Sequence, residues 1–216
     1  MAKRIFVVGA GTMGAGIAQL AAQKGFETWL YDVSEDQLSK AQAGINKSLT
    51  TLVEKGKIDE PAHHSINARL HFVQSLDEAR LADLVIEAIV ENLGIKHQVF
   101  QSLEQVVSAH CILASNTSSL SIASISSALT SPARFLGIHF FNPATLMPLV
   151  EVIPSVLTSP EVVLQAEEII AAMGKTVAVC KDTPGFIVNR VARPFYGEAL
   201  RMYEEGIADF ATIDYA

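Results

Sequence analysis

Apolar residues along this chain follow two rhythms that take turns. Residues 5–8, Ile-Phe-Val-Val, form an unbroken apolar run that stops at Gly9, the pattern of a parallel strand buried on both faces. Residues 12–24 then carry apolar positions at helical spacing and end before Gly25. Residues 27–31 predict a second strand halted by Asp32, and residues 34–55 a helix with Ser34 as its N-cap. Further strands are expected at 70–73, 84–88, 112–114, 136–140, 149–153 and 176–179. Helices at 93–107 and 160–173 fall between some of them. Such alternation predicts an α/β, Rossmann-type, doubly wound and mainly parallel sheet with helices on both faces.

The texture changes at Asp182-Thr183-Pro184-Gly185, where Pro and Gly break the last strand. From Phe186 to Gly206 the pattern is one long helix, and 209–216 begins another. A domain boundary is therefore expected, with residues 1–182 as a nucleotide-binding domain and 183–216 as the truncated beginning of an all-helical domain. About 30 helical residues cannot bury their own apolar face. Val188, Val191, Phe195 and Leu200 are candidates for a face left exposed and prone to association.

Half the residues are apolar and 18% are charged, which suits a packed core and excludes disorder. A net charge of −7 argues against nucleic acid or an anionic membrane as partner, while leaving room for a local basic cluster that takes an anionic small ligand. Met1-Ala2-Lys3-Arg4 leads into a short apolar stretch broken by glycines, neither a secretory signal nor a membrane span, so a reducing, cytoplasmic setting is expected. Cys111 and Cys180 have no metal-ligand spacing and are expected as buried free thiols; no metal is called for.

Gly9-Ala10-Gly11-Thr12-Met13-Gly14 matches G-x-G-x-x-G between a predicted strand and helix, and Asp32 ends the next strand 21 residues beyond Gly11. Gly9 serves the tight turn, Gly11 lets the backbone approach a pyrophosphate, and Gly14 lets the helix pack on the sheet. Phosphates then meet free N–H groups at the positive end of the helix. Asp32 accepts hydrogen bonds from ribose hydroxyls and repels a 2′-phosphate, which favours NAD over NADP.

Three segments fall at the carboxyl ends of strands, where this fold places its ligands: Asn116-Thr117-Ser118-Ser119, His139-Phe140-Phe141-Asn142-Pro143, and the run around Glu151. A carboxylate inside Leu149-Val150-Glu151-Val152-Ile153 is costly to bury alone and needs a partner, for which His139 is a candidate. Removing a hydride from an alcohol requires a base for the hydroxyl proton, a task that suits histidine. From pattern alone, a histidine beside aromatics is more often a satisfied core residue. The histidines at 63, 64, 71, 97 and 110 keep that reading or a surface one.

Several motifs together resemble the short-chain L-3-hydroxyacyl-CoA dehydrogenases. These are residues 9–16 (GAGTMGAG), 87–92 (EAIVEN), 115–120 (SNTSSL), 139–143 (HFFNP) and 182–190 (DTPGFIVNR). The resemblance implies hydride transfer between the C3 hydroxyl of a 3-hydroxyacyl-CoA and NAD. It implies His139 as acid/base, Glu151 as its partner, and Ser118 and Asn189 as hydrogen-bond donors to the substrate oxygen. Glu91, Lys96, Ser118 and Asn142 would lie near the NAD ribose and nicotinamide, and Ser48 and Lys55 near the CoA. Lys47, Lys55 and Lys57 make the densest basic patch there, with solvated helix charges an equal alternative. Family members usually continue with helices that complete the acyl pocket and a homodimer interface, so a chain of this length is expected to bind NAD well and turn over poorly. Two rivals remain: a related NAD-dependent hydroxy-acid dehydrogenase, and a non-catalytic NADH-binding or structural relative, which need not preserve Ser118, His139, Glu151 and Asn189 together.

Overall fold

Strands that are apolar on both faces must be covered on both, and that requirement organises the architecture. The structure, a computed structural model, describes residues 4–216; Met1, Ala2 and Lys3, on which the reading of the N-terminus partly rests, lie outside the described residues. Eight strands, β1 (Arg4–Val8), β2 (Glu27–Tyr31), β3 (Leu70–Val73), β4 (Leu84–Glu87), β5 (Ile112–Ser115), β6 (Phe135–Phe140), β7 (Leu149–Pro154) and β8 (Thr176–Val179), form one sheet in the order 3-2-1-4-5-6-7-8. Every pairing is parallel except β6 with β7. The strand order reverses between β1 and β4, the place where such sheets open a crevice for ligands.

The helices are α1 (Thr12–Gln23), α2 (Glu35–Glu54), α3 (Glu60–Ala68), α4 (Leu93–Val106), α5 (Ile122–Ser126), α6 (Pro160–Ala172), α7 (Val188–Glu204) and α8 (Phe210–Tyr215). Side chains of Ser34, Asp59, Asn92 and Ser159 each accept a backbone N–H in the first turn of the helix they precede. Alternation along β1 divides the core: Ile5 and Val7 pack with α1, α2 and α6, whereas Phe6 and Val8 pack with α4 and α5. The short helices α3 and α5 are not anticipated by periodicity; α3 buries only Ile66, too little to make a stripe.

Three expectations need correction. The long C-terminal helix begins at Val188 rather than Phe186, because Phe186 is held at φ 46 with its side chain drawn into the core around Phe6 and Phe135. Cys111 is buried, but Cys180 is only half-buried, because β8 is the last strand of the sheet and is partly open to solvent. Val188 is half-buried, unlike Val191, Phe195 and Leu200, which are exposed to 70%, 75% and 56% on α7. Among the described residues, no helix is long and apolar enough to cross a membrane.

Phe100 on α4 is fully buried and meets Phe135 edge-on at 4.8 Å between ring centres. Phe100→Ala is expected to cost about 3–5 kcal/mol, read as a lower urea midpoint at unchanged slope. A loss under about 1 kcal/mol would contradict this packing.

Candidate active site

The glycine-rich turn is shaped by what its residues lack. Gly9 sits at φ 104, and a Cβ there would lie 2.7 Å from the Ala88 carbonyl oxygen. A Cβ on Gly14 would lie 1.8 Å from the Gly9 oxygen, so α1 could not pack this close to β1. A Cβ on Gly11 meets no protein atom within 4 Å, so its missing methyl leaves open space. Gly11 is also the N-cap of α1 and offers no side-chain cap to its first turn. This cradle fits a pyrophosphate.

Beside it lies a cavity of about 450 Å³ lined by Gly9, Gly11, Tyr31, Asp32, Ile89 and Val90, among others. Asp32 accepts N–H bonds from Ala10 at 2.8 Å and Ser34 at 3.0 Å, which ties the carboxylate to the glycine turn itself. Thr12 faces the adjoining groove between α1 and α2. Burial, then the charge of Asp32, raises the Tyr31 phenol above its usual value.

A second cavity, of about 410 Å³, opens where the first turn of α1 faces the ends of β5 and β6. Met13, Glu91, Asn116, Ser118, His139, Phe140, Phe141, Asn142 and Asn189 line it. The antiparallel register of β6 and β7 sets His139 directly opposite Glu151, so the two side chains stand on one face. His139 Nδ1 is 2.8 Å from Glu151 Oε2, and both side chains are buried. The other carboxylate oxygen, Oε1, accepts the backbone N–H groups of Ile187 at 2.8 Å and Val188 at 2.9 Å. Phe141 and Phe186 flank the imidazole at 4.5 and 5.8 Å between ring centres.

Other bonds fix the surrounding loops. Asn116 accepts the Phe140 N–H at 2.8 Å, and Asn189 donates to the Ser118 carbonyl at 3.4 Å. Asp182 accepts from the Ser121 hydroxyl and from the N–H groups of Ile122 and Ala123, which anchors the segment before α7 to the start of α5. Lys175 donates to the carbonyls of Ala144 and Met147, both at 2.7 Å, and so clamps the loop that carries Asn142. Burial, then the charge of Lys24, lowers the Lys175 ammonium below the ordinary lysine value.

Lys96 is 1% exposed and does not reach the cavity as a free cation: its ammonium lies 2.5 Å from Glu87 and 3.1 Å from Glu91. Glu87 is fully buried and also accepts from the Ser115 hydroxyl at 2.7 Å and the Ile89 N–H at 2.8 Å. Glu91 receives Thr117, Ser119 and the backbone of Ser118. Burial alone would raise the Glu91 carboxyl, but the Thr117 hydroxyl, the Lys96 charge and the Ser119 hydroxyl hold it below its ordinary value. Glu87 opens the motif at 87–92 without being given a role there, although it closes the apolar run Leu84-Val85-Ile86 and carries the same signal as Glu151.

Ser48 and Lys55 lie apart from the His139 cavity. Ser48 is half-buried and its hydroxyl accepts from Gln19 at 3.0 Å, Gln19 lining the groove beside Thr12; Lys55 is exposed at the C-cap of α2. Burial, then Glu151 and Asp182, pushes the Cys180 thiol up to about 11. Among the described residues, no cluster of His, Cys, Asp and Glu is arranged to hold a metal.

Two outcomes follow from this geometry. Gly11→Ala should leave the melting temperature within about 2 °C yet weaken NADH binding at least tenfold, whereas Gly14→Ala should lower both; equal NADH affinity in Gly11→Ala would contradict the cradle. Because the Glu91 carboxyl is lowered, its contribution to stability is fully present above the ordinary value of 4.5 and is lost as pH falls through the lower folded value. Between about pH 5 and pH 3, urea midpoints should fall more steeply for wild type than for Glu91→Gln; parallel slopes would refute the shift.

Comparison with known proteins agrees with this geometry. Residues 4–183 match the family described as 3-hydroxyacyl-CoA dehydrogenase, NAD binding domain, and residues 185–216 match the 3-hydroxyacyl-CoA dehydrogenase C-terminal domain. A probable 3-hydroxybutyryl-CoA dehydrogenase of Deinococcus radiodurans is 45% identical over 96% of this chain and 74% of its own length. A 3-hydroxyadipyl-CoA dehydrogenase of Escherichia coli is 44% identical over 98% of this chain but only 45% of its own length. A crystal structure of (S)-3-hydroxybutyryl-CoA dehydrogenase from Ralstonia eutropha superposes with a TM-score of 0.95 at 36% identity, over 98% of this chain and 75% of that one. NAD is accordingly the cofactor of the glycine-rich cradle, and the chain belongs to the 3-hydroxyacyl-CoA dehydrogenase family.

Proposed function

We propose that this protein interconverts 3-hydroxyacyl-CoA and 3-ketoacyl-CoA, with His139 as acid/base. The observation that carries the reading is the His139–Glu151 pair, buried together at 2.8 Å and facing a cavity that also holds Ser118, Asn142 and Asn189. With Nδ1 donating to the carboxylate, Nε2 is left unprotonated and takes the C3 hydroxyl proton. Glu151 fixes that tautomer and stabilises the imidazolium that forms. NAD, when bound, supplies the acceptor for the hydride leaving C3.

The Ser118 hydroxyl and Asn189 amide donate to the substrate oxygen, and Glu91 and Asn142 line the cofactor side of the same cavity. Lys96 acts through Glu91, whose carboxylate it holds. Ser48 and Lys55 serve the CoA, an anion that the exposed Lys47, Lys55 and Lys57 suit. Residues 1–182 are the nucleotide-binding domain and 183–216 begin the helical one, a division supported by separate family matches on either side. The apolar residues exposed on α7 suit a homodimer, and the free thiols suit a reducing cytoplasm.

His139→Gln should lower kcat for acetoacetyl-CoA reduction by about 10²–10⁴ while leaving NADH affinity within about twofold. Absorbance loss of NADH reads the first, and fluorescence titration the second. Wild-type kcat in this variant would refute the assignment.

A further inference from the structure

The segment between β8 and α7 contains a backbone feature that the reaction outlined above does not use. Phe186, at φ 46, is the one non-glycine residue with positive φ among the described residues. A Cβ disfavours this conformation, and for a bulky aromatic it persists only where the surroundings impose it. The helical pattern runs through Phe186, so local preference would have begun the helix there. The fold overrides that preference, and two consequences follow.

The first concerns the amides. Phe186 is left-handed, and Ile187 returns to the right-handed region at φ −98 and ψ −60. Such an alternation turns successive N–H groups toward one concavity, a shape that receives anions. Here the anion is internal: the N–H groups of Ile187 and Val188 both point to Glu151 Oε1, at 2.8 and 2.9 Å. With that oxygen occupied, Oε2 is the one turned to His139 Nδ1. The second consequence concerns the ring. Phe186 is 4% exposed and its ring lies 5.8 Å from the imidazole between ring centres, tilted by 60°, with Phe141 nearer at 4.5 Å. It adds apolar bulk beside a histidine and a carboxylate whose side chains are both buried.

We propose that Phe186 is a positioning residue for the His139–Glu151 pair: its left-handed backbone aims two consecutive amides at one carboxylate oxygen, and its ring holds the imidazole against the other. This rests on the reading of His139 as the base. Phe186 itself is not among the residues that line the His139 cavity.

The test uses Phe186→Gly, which keeps the left-handed backbone and deletes the ring, and Phe186→Leu, which keeps apolar bulk without a planar face. The His139 Nδ1 proton, deshielded by its bond to a carboxylate, is observed directly by proton NMR of the protein alone. Steady-state kcat and NADH affinity are measured alongside. Phe186→Gly should broaden or displace that resonance and lower kcat about tenfold to a hundredfold, with NADH affinity within about twofold. Phe186→Leu should move both in the same direction by less, and it carries the test should the glycine variant not fold.

A folded variant with the resonance at its wild-type position overturns the proposal, whether or not kcat falls. A displaced resonance with wild-type kcat would support the positioning and instead sink the reading of His139 as the base.

Discussion

The carboxylate of Glu151 has no exposed surface, and an ionised group so placed costs several kcal/mol unless hydrogen bonds replace the water it has lost. Three donors do this, and they come from distant parts of the chain: His139 on β6 and the amides of Ile187 and Val188 at the start of α7. Satisfying one buried charge thus fixes three elements relative to one another. Beta-strand register sets the histidine, and a left-handed residue sets the amides. The imidazole is oriented because Oε2 would otherwise lack a donor, so under the role proposed for His139 the requirements of stability and of proton transfer coincide at the same atoms.

Across the sheet, Glu87 repeats the arrangement with a lysine in place of the histidine. It too is fully buried, here at the last residue of β4, and it is satisfied by Lys96, the Ser115 hydroxyl and the Ile89 amide. Lys96 then reaches on to Glu91, which gathers Thr117, Ser119 and the Ser118 amide. The loop that presents Ser118 is therefore held from below by a chain of charges rooted in the core, and from above by Asn189. Partial satisfaction would be expensive at its buried end, so Glu87, Lys96 and Ser115 behave as a unit rather than as separate contacts.

The fold was legible because its strands are short apolar runs separated by amphipathic helices, a pattern that double burial imposes. The glycine turn was legible for a related reason: its function rests on absent side chains within six consecutive residues. His139 and Glu151 were legible as a costly charge in need of a partner, but their pairing depends on β6 and β7 running antiparallel, which neither strand reveals alone. Glu87 carries the same signal, but the motif it opens does not name its partner, which comes from α4 and β5. Phe186 offered none, since its backbone is set by Glu151, Phe6 and Phe135, residues scattered over the sequence. Lys175 likewise looks like a surface lysine until the Asn142 loop folds back onto it.

Helix α7 takes part in two kinds of interaction at different points along its length. Its first turn supplies amides to Glu151 and the Asn189 side chain to the Ser118 loop, and Asn189 is the last of the described residues that line the His139 cavity. Its exposed apolar positions, Val191, Phe195 and Leu200, begin beyond that turn. These apolar positions stand clear of the bonds that hold the His139–Glu151 pair. One turn of the helix is thus fixed by a buried carboxylate, and the later turns carry the apolar residues left exposed.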